Sequence, residues 1–198
     1  MENNLINLLV ELESLLKASN YLIVTKFNDG KEEKEIAEYL HNLKFSARKD
    51  FVDLYKWKNG VSNLFQGGNI GQLELFANGI MLPLEYAIST YTLEVKVQKK
   101  FNSYFFPIFT SGGGDYILIN FNTKSKLFGQ LFLYSPSLLM TNAPMSIYDS
   151  LEVLFETILS IYKEKGYSFK NNVLEVDYEI ESLISRRLNP KSDFWKED

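Results

Sequence analysis

Between residues 105 and 135, three runs rich in Phe, Ile, Leu and Tyr are separated by Ser111-Gly112-Gly113-Gly114-Asp115 and by Thr123-Lys124-Ser125-Lys126. Short apolar runs bounded by turn residues predict strands over 105–110, 116–122 and 127–134, paired antiparallel through the two turns. Upstream, 73–76 and 80–82 flank Asn78-Gly79, a dipeptide that readily closes a tight hairpin. A sheet of this kind has an apolar face that another layer must cover.

Helices supply that layer. Leu5, Leu8, Leu9, Leu12, Leu15 and Leu16 recur at helical spacing over 3–17, a single leucine stripe that is either core or a docking face. Ile36, Leu40 and Leu43 give a second helix over 31–43, and Ser46 is the predicted N-cap of a third that carries Phe51, Leu54 and Tyr55 and exits through Asn59-Gly60. Pro83 opens a helix through Leu84, Ala87, Tyr91 and Val95. Ser146 and Asp149 have the spacing of a capping box ahead of Leu151, Leu154, Phe155, Ile158, Leu159 and Tyr162, and Gly166 ends that helix. The mildly acidic tail reads as a strand over 173–176, a helix over 178–188 and a turn at Asn189-Pro190 before Trp195. The expected fold class is therefore α+β. The expected division is an N-terminal helix and connector over 1–31, a domain over 32–166 and a C-terminal extension packed on it over 167–198.

The residue inventory narrows function. There is no cysteine, so disulfides, thiolate nucleophiles and thiolate metal sites are excluded, and His41 is the sole histidine. No metal site and no cofactor are expected from such a set. The opening Met-Glu-Asn-Asn lacks the basic and long apolar segments of a signal peptide, and no apolar run approaches the length of a membrane span, so the expectation is a cytoplasmic protein without membrane contact. Net charge is −4, which leaves any direct grip on nucleic acid to a local basic patch. The best such cluster, Lys96, Lys99 and Lys100, reads as a solvated helix face.

Four features could carry chemistry. Glu32, Glu33, Glu35 and Glu38 crowd one helix, but acid/base work needs carboxylates buried or opposed so that their pKa values separate. The triple glycine could present N–H groups to an anion, yet a phosphate loop leads into a helix, usually through a lysine, and a strand follows here. Gly67-Gly68-Asn69-Ile70-Gly71 lacks the spacing of a dinucleotide cradle and reads as a surface loop. A hydrolase built on Ser111 would have no identified base.

The order of features is more specific than any one of them. An acidic helix, Tyr55-Lys56-Trp57-Lys58-Asn59-Gly60, a hairpin into Leu82-Pro83-Leu84-Glu85-Tyr86-Ala87, the Pro107 strand, Gly113-Gly114-Asp115 opening the next strand and Ser146 before the long helix occur in sequence. The chain resembles the SUKH superfamily, in the Smi/Knr-like branch of cell-wall assembly regulators and bacterial immunity proteins, over about 32–165, and Leu188-Asn189-Pro190 with Trp195 resembles endings of bacterial members. Two places depart from the pattern: Ile119-Asn120-Phe121-Asn122, where members often carry an aspartate, and Phe45-Ser46, which replaces a usual Leu-Pro.

The resemblance implies a SUKH-like fold, a mostly antiparallel sheet of about five to six strands covered by helices, without enzymatic activity. It also implies a protein partner. The leading expectation is an immunity protein that neutralises a bacterial toxin domain of nuclease type; the alternative is an intracellular regulatory scaffold of the cell-wall assembly regulator type, and a hydrolase ranks last. Trp57 and Asp115 sit at family-matching positions, and the loop over 63–71 is where a rigid scaffold would gather contact residues. Asn63, Phe65, Gln66, Asn69, Trp57 and Asp115 are accordingly the candidate partner contacts.

Overall fold

The structure, a computed structural model, describes residues 4–62 and 69–196. Of the candidate contacts, Asn63, Phe65 and Gln66 lie outside the described residues. Five strands form one antiparallel sheet in chain order: β3 (Ile80–Met81), β4 (Phe105–Thr110), β5 (Tyr116–Asn120), β6 (Leu131–Tyr134) and β7 (Met145–Tyr148). With the helices packed on it, this is the α+β class that the strand and helix patterns predict. Register places Phe106, Ile119 and Leu131 across from one another, and likewise Phe109, Ile117 and Leu133. Pro107 has no N–H for the ladder, and the β4–β5 register slips by one residue just after it.

One sheet face carries the core. Phe106 meets Phe51 of α3 (Lys49–Trp57), and Phe109 meets Phe155 of α6 (Leu151–Lys163). α1 (Asn4–Ala18) lies on α6 and α3, and its Leu5, Leu9, Leu12 and Leu16 are each at most 1% exposed. The leucine stripe is therefore core. Each such side chain contributes about 1.5–3 kcal/mol of burial.

α2 (Glu33–Asn42) packs on α3, and α4 (Leu84–Tyr91) packs on β4 and runs on into a wider π-type turn, Thr92–Val97. A small antiparallel pair joins β1 (Phe27–Asp29) to β2 (Lys58–Val61). At the C-terminal end, β8 (Tyr167–Lys170) and β9 (Val173–Val176) form a hairpin, closed by Asn171 and Asn172 at φ 51° and 62°. α7 (Tyr178–Leu188) follows, capped by the Asp177 carboxylate, which accepts from the N–H groups of Glu179 and Ile180.

Several local expectations change. Ser146 does not cap the long helix: Ser150 does, accepting from Val153 N–H at 3.2 Å, because 145–148 pairs with β6 as the fifth strand. Ser46 does not cap α3 either, whose N-cap position is Arg48. The third strand begins at Leu131, since 127–130 is folded into a turn around Gly129, where φ is 84° and a Cβ would overlap the Arg48 guanidinium. Lys99 has φ 53° and lies beyond the helical turn that carries Lys96.

Candidate functional site

The segments that carry the family pattern bind each other. The Asn59 side chain accepts from Leu84 N–H at 2.8 Å and donates to Glu85 at 3.2 Å, so it caps α4 from the neighbouring strand. Gly60 has φ 65°, and a Cβ there would stand 2.2 Å from Pro83 N. The Tyr55 hydroxyl donates to Leu82 C=O. Lys31 pairs with Glu85 at 2.5 Å and Glu35 at 2.6 Å, while Lys56 pairs with Glu33 at 2.8 Å. Burial disfavours the ionised Glu85, but its bonds from Lys31 and Asn59 outweigh that, and its pKa lies below the usual carboxylate range. The acidic face of α2 is thus partly neutralised where it meets the body of the protein.

Trp57 belongs to the same packing. Its indole N–H donates to Glu13 of α1 at 2.8 Å, and its ring lies against Phe27 and Phe155. The two departures from the family pattern are packing as well: Phe45 stacks on Phe121 at 4.6 Å, and the Asn120 amide bonds Leu127 C=O and Asn122 N–H.

The triple glycine is a hairpin turn. Gly112 N–H donates to the Thr110 hydroxyl and Gly113 N–H to the Ser111 hydroxyl, so neither is turned toward an anion. The Ser111 hydroxyl donates to the Asp115 carboxylate at 3.0 Å, and His41 lies exposed in the last turn of α2. Gly114, at φ 101°, meets no atom within 4 Å where a Cβ would sit, so backbone conformation alone selects glycine there. Asn69 bonds Gly71 N–H, and the adjacent Ile70 lies against Gly112. Asn69 and Asp115 are therefore brought to the same end of the sheet, whereas Trp57 is held among α1, β1 and α6.

At that end lies an open cavity of about 540 Å³. Its floor is the end of the core face, with Ile117, Leu133 and Ile147. Asp115 and Ser135 stand at the strand ends, Tyr178, Glu181 and Ser182 come from α7, and Phe194 and Trp195 from the tail. The tail is fixed there by a zipper on β7. Ser192 donates to Ser146 C=O, and Phe194 N–H donates to the same oxygen. Ser146 also bonds the carboxylate and N–H of Asp193. Asn189, 1% exposed, bonds Asp149 N–H, Thr157 and Ser185 C=O, which ties the end of α7 to α6.

The cavity is acidic and without a counter-charge. No lysine, arginine or histidine lines it among the described residues, and residues 63–68 and 197–198 contain none. Glu181 is 6% exposed and accepts from the Tyr167 hydroxyl; no other donor reaches it among the described residues. Burial pushes its pKa up, and the Tyr167 bond only partly opposes that. Tyr148, buried beside it, has its hydroxyl pKa raised by burial first and by the Glu181 charge second. Tyr178, at the rim, is 69% exposed.

The sequence pattern of the SMI1 / KNR4 family (SUKH-1) matches residues 31–157, well over half of the chain. The chain belongs to that family. No curated protein matches it. The SUKH-1 match ends inside α6, so α7, Phe194 and Trp195 lie beyond it. The cavity is thus built mostly from the family domain, and the chain that follows adds α7 and the tail to its lining. No helix among the described residues is long and apolar enough to cross a membrane.

Of the candidate contacts, Asp115 lines this cavity; Glu181, Tyr178 and Trp195 line it too, and the sequence pattern does not join them to it. Tyr178 and Glu181 share a helix face at i, i+3, a signal present in the sequence, but nothing in it says which face meets the sheet.

Proposed function

We propose that this SUKH-1 protein is a non-enzymatic binding protein of the immunity type, which occupies a bacterial toxin domain of nuclease kind in the cytoplasm. The observation that carries the reading is the open aromatic cavity with two carboxylates and, among the described residues, no cation in its lining. Nucleases hold phosphates with basic side chains, and an acidic concave surface both complements such a site and steers its approach. The Ser111 hydroxyl bonds the Asp115 carboxylate directly, while the sole histidine stands exposed on α2, so no serine–histidine pair forms there among the described residues; this supports a binding role over a serine-hydrolase one. The contact surface we infer runs from Asn69 across the 111–115 turn to the cavity, with the loop over 63–68 beside it in the chain. Residues 32–166 would form the binding domain and 167–198 the extension that completes its surface.

The test is protection. Cells expressing the toxin domain encoded beside this gene should survive when the protein is co-expressed, and the two should copurify. An orphan gene, or toxin killing that continues at full rate with the protein present, overturns the immunity reading. The regulatory-scaffold alternative keeps the family but loses its motivating element, because the leucine stripe of α1 is buried.

A further inference from the structure

The cavity at the end of the sheet has a more specific chemistry than a general docking surface. Its two acids lie on different elements, Asp115 just before β5 and Glu181 in the first turn of α7, so a guest between the hairpin turn and α7 meets a carboxylate from each. The space between them is ring-walled, by Tyr116, Tyr148, Phe194 and Trp195, with Tyr178 exposed at the rim. Arg186 bonds the Trp195 carbonyl but does not line the cavity.

An apolar guest would fill the floor over Ile117, Leu133 and Ile147 but would leave Glu181 walled off from water with its single phenol donor. An anionic guest would face two acids. A guest with an apolar stem and a cationic tip satisfies both surfaces: the stem lies on the rings, the tip reaches the carboxylates. Lysine and arginine share that outline. Arginine fits better, since its planar group stacks on aromatic rings while its edge donates in a fork to a carboxylate. A volume of about 540 Å³ is in the range of sites that enclose a drug-sized ligand, so it admits the flanking backbone as well as the side chain.

We propose that this cavity receives an arginine side chain presented by an exposed segment of a protein partner. The inference rests on the protein-binding reading above and names what is bound. It also accounts for the two-part construction, because the ring-bearing tail and α7 lie outside the family match and can tune the receptor to this chain's own partner.

The two tryptophans give a direct assay on the full chain. Trp195 lines the cavity, whereas the Trp57 indole is engaged with Glu13, so the two indole N–H resonances report on the site and on a control position. Titration with acetyl-Gly-Arg-Gly-amide should move the Trp195 resonance and leave that of Trp57 in place, and acetyl-Gly-norleucine-Gly-amide should move neither. Glu181→Gln and Asp115→Asn should each weaken the arginine peptide about five- to tenfold. Tyr178→Ala, at a position 69% exposed, should weaken it about threefold. Equal shifts from both peptides, no shift from the arginine peptide, or unchanged affinity in Tyr178→Ala with both carboxylates altered overturns the proposal. Agmatine binding as tightly as the peptide overturns the polypeptide source. A toxin that copurifies while the arginine peptide fails leaves the protein-binding reading standing without this receptor, and arginine-dependent binding without any toxin partner does the reverse.

Discussion

The Asn59–Glu85 corner holds an exposed carboxylate and the Asp115–Glu181 cavity a buried one, and the two are treated in opposite ways. Glu85 has Lys31 at 2.5 Å and an amide donor, and its pKa falls; Glu181 has a phenol and, among the described residues, no cation, and its pKa rises. The corner carries the residues by which the family is known, and it uses up their polar atoms on one another. The cavity carries little of that pattern, and its acids keep capacity for an outside partner. Residues that mark the family here serve packing, while part of the cavity lining lies beyond the family match.

That contrast can be broken by substitution. Gly60→Ala combines a positive φ with an overlap against backbone, and we expect a loss of more than about 2 kcal/mol in urea unfolding; a smaller loss would mean the corner is looser than its geometry. Asn59→Ala removes the cap of α4 and strands Leu84 N–H, with an expected loss of about 1–2 kcal/mol by the same measurement.

The two glutamates should show opposite pH dependences. A raised folded pKa favours folding below the ordinary carboxylate value, and the benefit is lost as pH rises through the folded value, so wild type should lose stability relative to Glu181→Gln between about pH 4 and pH 8. A lowered folded pKa gives stability that is present above the ordinary value and lost as pH falls through the folded one, so wild type should gain relative to Glu85→Gln over the same interval. Urea midpoints of both pairs at the two ends of that range decide it, and parallel slopes would erase the contrast. The smallest effect belongs to Tyr178→Ala, expected within about 0.5 kcal/mol of wild-type stability, since its ring is 69% exposed; a larger loss would make it part of the fold rather than of the site.

Much of the architecture is legible in the sequence. The helix over 178–188 and the strand over 173–176 fall where their patterns put them, because apolar periodicity and turn residues act locally. β8 is not among the predicted strands, although Asn171-Asn172, a pair that tolerates positive φ, marks its turn. Ser146 shows the converse failure. Its spacing to Asp149 satisfies a helix-cap pattern, yet its hydroxyl bonds Asp193, 47 residues away, and that competitor is invisible in a local window.

The sequence by itself determined the α+β class, the apolar faces, the hairpin turn at the glycines and the want of thiol or multi-histidine chemistry, since each follows from composition or from spacing of a few residues. Only tertiary structure decided that Trp57 and Asn59 serve packing, that the leucine stripe is core, and that Asp115 shares a cavity with Glu181 and Trp195. Those outcomes depend on which distant segments meet. Burial and the absence of a counter-charge are properties of that meeting, and no single stretch of chain contains them.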